Sequence, residues 1–447
     1  MQEKNNVLQA KMAAFIAELR YEMLPPEIVK DAKYRILDWL GSALAGIRYK
    51  PSQIITEFVK STGGVAQATV LKGDVKVPIF QAALANGVIG HVAEFDDGHR
   101  LAIAHPGAVT VPAALAVAEG CKRNGKELLT AVVAGYEVLI RLGMAINPSH
   151  YRIWHATGTC GAFAAAASAS SLLKLDKNSV QAALGIAGTM ASGLQETFGT
   201  HAKPLNAGHA CQSGVKAALL AQQGFTGPLD ILLGDKGFIK ATSSEYHTQP
   251  LAEIGEGPLL ANTAFYKVYA SCGHTNSPLD AMFKIIEKND IPLHSIRQIQ
   301  VGTYRIAADL TGQLKNSSED EAKFSLPYCL AVALACKKVT LEEFTVDKLN
   351  DPTILELAKK IMVVEDPAAT AAFPKRRATL RIELKNGEVL EESVNTSNDT
   401  PQYDALEEKF LFLAAGCFDR STALKIRDAV LDIENLDDLN GLMQYLG

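Results

Sequence analysis

Residues 153–173 contain no Asp, Glu, Lys or Arg, a stretch long enough to cross a bilayer and the strongest single constraint on what this chain can become. Its makeup decides against a membrane span. Thr157, Gly158, Thr159, Gly161, Ser168, Ser170, Ser171 and His155 stand among alanines, which leaves the stretch only weakly apolar. The expectation is a closely packed interior helix, and such a helix must bury every side of itself against other elements.

The neighbouring chain supplies those elements. Pro25-Pro26-Glu27 opens a helix with proline in its first turn. Residues 79–94, 111–119, 126–146, 159–173, 179–190 and 209–223 each carry a helical pattern or length, interrupted by Gly, Pro and Asn. No alternation of strand and helix appears, so a doubly wound sheet is not expected. The texture changes after about residue 264. There 299–304 is β-branched and alternating, 361–364 is a short apolar run, and 378–384 and 389–394 flank Lys385-Asn386-Gly387, a hairpin signal. Helical pattern returns at 405–415 and 422–433. The expected fold class is mainly α: a discontinuous helical domain over 1–264 plus 395–447, with a smaller α+β lid domain over 265–394 inserted in it.

Forty-four Lys plus Arg against 49 Asp plus Glu give a net charge of -5, so no overall field draws the chain onto nucleic acid or a membrane surface. An anionic ligand must be held by a local cluster. The seven cysteines, Cys121, Cys160, Cys211, Cys272, Cys329, Cys336 and Cys417, form no CxxC pair and no disulfide framework. The start, Met1-Gln2-Glu3-Lys4-Asn5-Asn6, has neither the basic beginning nor the apolar run of a secretory signal. Reduced thiols in a cytoplasm are expected.

One phosphate-binding motif is only superficially present. Gly120-Cys121-Lys122-Arg123-Asn124-Gly125-Lys126 matches the first seven positions of a P-loop, but Glu127 replaces the Ser or Thr that would hold magnesium, and an Ala-rich helical run precedes it where a strand belongs. Lys122, Arg123 and Lys126 are expected at a solvent-facing helix end. GxSxG, GxGxxG and HExxH are absent, against serine hydrolase, dinucleotide and zincin chemistry.

Four polar clusters remain. Glu94-Phe95-Asp96-Asp97-Gly98-His99-Arg100 with His105-Pro106-Gly107 is either an acidic helix end with a solvated loop or a site. His155 stands at the start of the small-residue helix, beside free backbone amides that suit an anion and favour a neutral imidazole able to take a proton; a buried structural histidine is the alternative. Residues 199–209 read as a polar loop between Ala-rich helices, in which Lys203 either reaches a carboxylate or is solvated. Residues 267–276 hold Lys267, Cys272 and His274 where the composition shifts, and Cys272 there is a small packing residue more readily than a nucleophile.

Together, in order and wording, these motifs resemble the MmgE/PrpD family: Glu94-Phe95-Asp96-Asp97, His105-Pro106-Gly107, His155-Ala156-Thr157-Gly158, and Lys203-Pro204-Leu205-Asn206-Ala207-Gly208-His209. Gly224-Phe225-Thr226-Gly227-Pro228, the stretch 267–280 and Ala322-Lys323-Phe324-Ser325-Leu326-Pro327-Tyr328 complete the resemblance, which runs through nearly the whole chain. It implies a large helical domain with a smaller α+β lid, a homodimer, and no metal or organic cofactor. It also implies an enzyme acting on a small di- or tricarboxylate by proton transfer next to a carboxylate.

Family members include a 2-methylcitrate dehydratase, a cis-aconitate decarboxylase and an iminodisuccinate epimerase. By the same resemblance His155, His105, Asp96, Lys203 and Lys267 fall on catalytic positions, and Glu94, Asp97, Cys272 and His274 on substrate-binding ones. Cys272 stands where the decarboxylase has histidine and Glu94 where it has aspartate, and Thr275-Asn276-Ser277-Pro278 departs from the usual Thr-His-Pro. Of these, Cys272 counts against the decarboxylase; a 2-methylcitrate dehydratase-type hydro-lyase is the expected activity, with His155 as the expected base, and the alternatives are an epimerase of an iminodisuccinate-like diacid, a cis-aconitate decarboxylase-type lyase and, last, a non-catalytic binding protein.

Overall fold

The computed structural model describes residues 2–396 and 403–447, with side chains described from residue 7 onward. Helix accounts for 61% of the described residues and strand for 9%, so the class is mainly α, as the patterning requires. The described residues divide into two compact units. The first takes those up to Thr197, His201–Tyr266 and those from Tyr403 onward; the second takes Phe198–Thr200 and those from Lys267 to Thr396.

In the first unit, helix α1 (Pro26–Gly46) starts behind Pro25, and α2 (Ile79–His91), α3 (Pro106–Gly120), α4 (Gly125–Ile146), α5 (Ala156–Leu172) and α6 (Ala202–Gln222) follow. The uncharged stretch forms α5, almost wholly buried and packed on α3, α4 and α6. It is small-residue helix against small-residue helix, and such surfaces let backbones approach closely. The crossing of α2 and α6 shows how tightly: a Cβ on Gly208 would lie 2.5 Å from the Leu84 carbonyl oxygen and 2.7 Å from Val88 Cγ2. Only glycine fits there. Among the described residues one helix, α4, is long and apolar enough to cross a membrane, and 94% of its most apolar 18 residues is buried within the protein.

One feature differs from expectation. The stretch around Lys203 is not a loop, because α6 begins at Ala202, seven residues before the helical pattern becomes legible. Pro204 sits in the first turn, where its missing N–H has no helical partner to lose, and the polar residues that masked the helix cluster at its start. The superficial phosphate motif joins the end of α3 to the start of α4, in keeping with its reading as a helix end: Asn124 Oδ1 accepts from Glu127 N at 2.9 Å and Glu127 Oε2 from Asn124 N at 3.0 Å, a reciprocal cap.

The second unit is built on a four-stranded sheet, with β1 (Ile296–Thr303), β2 (Ile361–Glu365), β3 (Ala378–Leu384) and β4 (Val389–Val394) in spatial order β2-β1-β3-β4. β1 and β2 are parallel, with Val301 beside Val363; β1 and β3 are antiparallel, with Val301 beside Leu380. The β3–β4 hairpin turns at Gly387, whose φ is 89°. Helix α7 (Asn276–Lys288) packs on β3, β4 and α8 (Leu326–Cys336). The chain then returns to the first unit as α9 (Tyr403–Ala414), whose Lys409 donates to Asp38 Oδ1 at 2.7 Å and to the Phe95 carbonyl at 2.9 Å.

Candidate active site

The helix ends of the first unit converge on one buried cluster. α2 and α6 run antiparallel through the Gly208 crossing, so His91, the last residue of α2, meets Lys203 near the first residue of α6. Lys203 Nζ lies 3.0 Å from His91 Nε2 and also donates to Glu94 Oε1. Glu94 reaches it because the chain leaves α2 through a turn in which Glu94 takes a left-handed φ of 58°, a conformation that costs a non-glycine residue about 1 kcal/mol.

Asp96 and Asp97 follow and do different work. Asp96, fully buried, accepts from His91 Nδ1 at 2.8 Å through Oδ2, and the same oxygen lies 3.7 Å from His105 Nδ1. Asp97 points the other way. Its Oδ1 accepts from Gly107 N at 2.8 Å, its Oδ2 accepts from Tyr136 Oη at 2.7 Å and from Arg35 Nη1 at 3.3 Å, and its carbonyl accepts from His105 Nδ1 at 2.6 Å. Burial pushes the Asp97 carboxyl up to about 6 against the pull of Arg35 and Tyr136. Arg35 is itself fixed by Asp31 at 2.9 Å and by the Ala264 carbonyl at 2.6 Å. Asp97 thus caps the start of α3 from outside the helix, and Gly107 is required there because a Cβ would stand 2.8 Å from Asp97 Oδ1.

His105 and His155 are the residues immediately before α3 and α5, and they are tied together: His105 N donates to Thr157 Oγ1, in the first turn of α5, at 3.1 Å. His155 N donates to the Gly193 carbonyl at 3.0 Å. The three rings form one group, His91 to His105 4.9 Å between centroids and His91 to His155 5.9 Å. Burial, then the positive charge of Lys203, holds His155 well below the usual imidazole range, so it is neutral.

Hydrogen bonds assign the tautomers. A carbonyl only accepts, so His105 carries a proton on Nδ1, and in its neutral form Nε2 is the unprotonated nitrogen. The Asn206 amide donates to His155 Nδ1 at 3.3 Å while donating to Thr197 Oγ1 at 3.0 Å. Neutral His155 therefore carries its proton on Nε2.

Glu94, Asp96, Asp97, His105, His155 and Lys203 are thus brought together. Lys267, Cys272 and His274 belong to the second unit, all three buried. There Cys272 N donates to the Lys323 carbonyl at 3.0 Å, and His274 Nδ1 lies 2.6 Å from Tyr304 Oη. His91 is the residue that sequence reasoning missed; its only signal was its place three residues before the acidic motif. Among the described residues, His91, Asp96 and His105 come close enough for a metal, with donor atoms within 4.8 Å of one another. His91 Nδ1 is already hydrogen-bonded to Asp96 and His105 Nδ1 to the Asp97 carbonyl, and the Lys203 ammonium abuts His91, a charge that opposes a cation. The donor set suits proton handling better than metal binding.

Residues 10–250 match the MmgE/PrpD N-terminal domain and residues 269–435 the MmgE/PrpD C-terminal domain. The chain is 27% identical to a cis-aconitate decarboxylase of Aspergillus terreus, covering 98% of this chain and 95% of that one, and 27% identical to the human cis-aconitate decarboxylase, covering 97% and 93%. It is 24% identical to the 2-methylcitrate dehydratase of Escherichia coli K12, covering 84% of this chain and 82% of the relative. These relatives are lyases. Both family domains match in sequence order and between them take in nearly all of the chain and every residue of the cluster, and on that ground the protein is a member of the MmgE/PrpD family.

Proposed function

We propose that this protein is a lyase acting on a small di- or tricarboxylate, and that it removes water from a 2-methylcitrate-like substrate. The observation that carries the reading is His105 held as its Nδ1–H tautomer by the Asp97 carbonyl, beside an ammonium and a neutral imidazole. His105 Nε2 takes the proton from the carbon next to a substrate carboxylate, and Asp96, 3.7 Å from Nδ1, steadies the imidazolium that forms. Lys203 holds that carboxylate, and the Nε2–H of His155 supports the negative charge that develops on it, a task that suits a neutral imidazole. The imidazolium then gives its proton to the departing hydroxyl. A C–H and a C–O bond break, a C=C bond forms, and water leaves.

Two assignments in this reading differ from expectation. His155, expected as the base, becomes a hydrogen-bond donor because Asn206 engages its Nδ1. Asp97, expected at the substrate, becomes a support for His105, since its carboxylate is engaged by Gly107, Tyr136 and Arg35.

A second reading is decarboxylation, favoured by the 27% identity to cis-aconitate decarboxylases over nearly the full length. In that reading His105 starts as the imidazolium: the C–C bond to the leaving carboxylate breaks, carbon dioxide departs, and the Nε2–H of His105 supplies the proton to the carbon left behind. Cys272, which by the family resemblance stands where the decarboxylase has histidine, favours dehydration. Incubating the protein with 2-methylcitrate, citrate, cis-aconitate and iminodisuccinate, while following alkene absorbance, carbon dioxide and solvent deuterium uptake, separates the reactions. Turnover of none of the four would overturn the proposal.

A further inference from the structure

We infer that His91 is a positioning residue of this site: Asp96 holds its Nδ1–H, and its unprotonated Nε2 fixes the ammonium of Lys203. The inference rests on the reading that Lys203 meets a substrate carboxylate. An ammonium has only donors, so the 3.0 Å contact between Lys203 Nζ and His91 Nε2 requires that nitrogen to be an acceptor. Its proton must then sit on Nδ1, where the Asp96 carboxylate accepts it at 2.8 Å. His91 and Asp96 are both fully buried, so solvent does not compete for either bond.

Glu94 alone would supply charge to Lys203 without direction, because a lysine side chain is long and its ammonium is a point charge. A second, neutral acceptor from a different element locates Nζ by two contacts and orders it before substrate arrives. With its acceptor nitrogen so engaged, His91 is distinct from His105, whose Nε2 carries the proton transfer. It acts on the reaction only through Lys203, as a buried carboxylate–imidazole pair acts on a ligand that it orients.

Selective ¹⁵N labelling of histidine gives a readout that needs no turnover. Near neutral pH the His91 signals should be those of the Nδ1–H tautomer; an Nε2–H tautomer or an imidazolium would overturn the inference. Kinetics give the second readout. In His91→Asn the amide reaches the Asp96 side but not Lys203, and kcat/KM should fall about 100-fold, the scale of a misplaced group. His91→Gln places an amide oxygen near the lost Nε2 and should recover to within about tenfold of wild type. Equal losses in the two variants, or wild-type kinetics in His91→Asn, would also overturn it. A protein that turns over no polycarboxylate yet shows His91 as the Nδ1–H tautomer would sink the lyase reading and leave the hydrogen-bond relay standing.

Discussion

The imidazoles of His155 and His91 lie 5.9 Å apart and 20° from parallel, with Lys203 3.0 Å from the second ring. Two imidazolium ions and an ammonium cannot share so small a buried volume, so the site is built to keep His155 neutral. A neutral ring with its proton on Nε2 donates. His155→Gln, which retains an amide N–H in that region, should therefore lose about tenfold in kcat, and His155→Leu about 100-fold or more. If the glutamine variant lost as much as the leucine variant, with both still folded, the role of base would return to His155.

His105 is the proposed base, and its loss should be seen in the proton itself. His105→Gln should slow exchange of the substrate's α-proton with deuterated water by about 100-fold or more, the scale of one general base. Exchange at the wild-type rate would remove His105 from that role.

Lys203 and Glu94 form a buried pair whose two functions can be separated. Lys203→Met should cost about 2 to 4 kcal/mol in kcat/KM. It should also lower the melting temperature, because Glu94 is left buried and uncompensated. Adding Glu94→Gln should restore the melting temperature and leave activity low. Recovery of both together would mean that Lys203 serves only the fold.

His150 supplies a test of stability against pH. Burial holds its imidazole down to about 4, and its Nε2 lies 2.7 Å from Thr159 Oγ1. Between about pH 4 and 6.5 the unfolded chain binds a proton that the folded chain refuses, so stability falls as pH falls through that window. At pH 5 the loss from this residue alone should be about 2 kcal/mol, and His155, shifted in the same direction, adds to it. Melting temperatures from pH 7 to pH 5 check it; a flat profile would contradict both shifts.

Gly208→Ala addresses the crossing that brings His91 and Lys203 together. The added methyl would press on the Leu84 carbonyl at 2.5 Å, and overpacking of this kind costs about 1 to 3 kcal/mol. Activity should fall further than stability explains, measured on the folded fraction, because both helix ends would move. Unchanged kinetics would show that the crossing is not what places Lys203.

The helical class, the place where strands begin and the motifs of the site were legible in the sequence because each rests on local chemistry. Ala, Gly and Ser at helical spacing specify a buried helix wherever α5 sits, and Asn386-Gly387 specifies a turn by itself. Tertiary structure decided what depends on who meets whom. The first turns of α6 read as a polar loop because Lys203, Asn206 and His209 break the apolar pattern, and Gly208 lets α2 come close enough to bury Lys203 within them. His91 carried no motif, and only the antiparallel crossing of α2 and α6 places its ring between Asp96 and Lys203. The roles of Asp96 and Asp97, adjacent and identical in type, were not separable by spacing, since one turns to an imidazole and the other to an arginine, a tyrosine and a helix start. Sequence fixes which groups can carry charge or a proton; the hydrogen-bond partner fixes which atom holds it, and that partner comes from elsewhere in the chain.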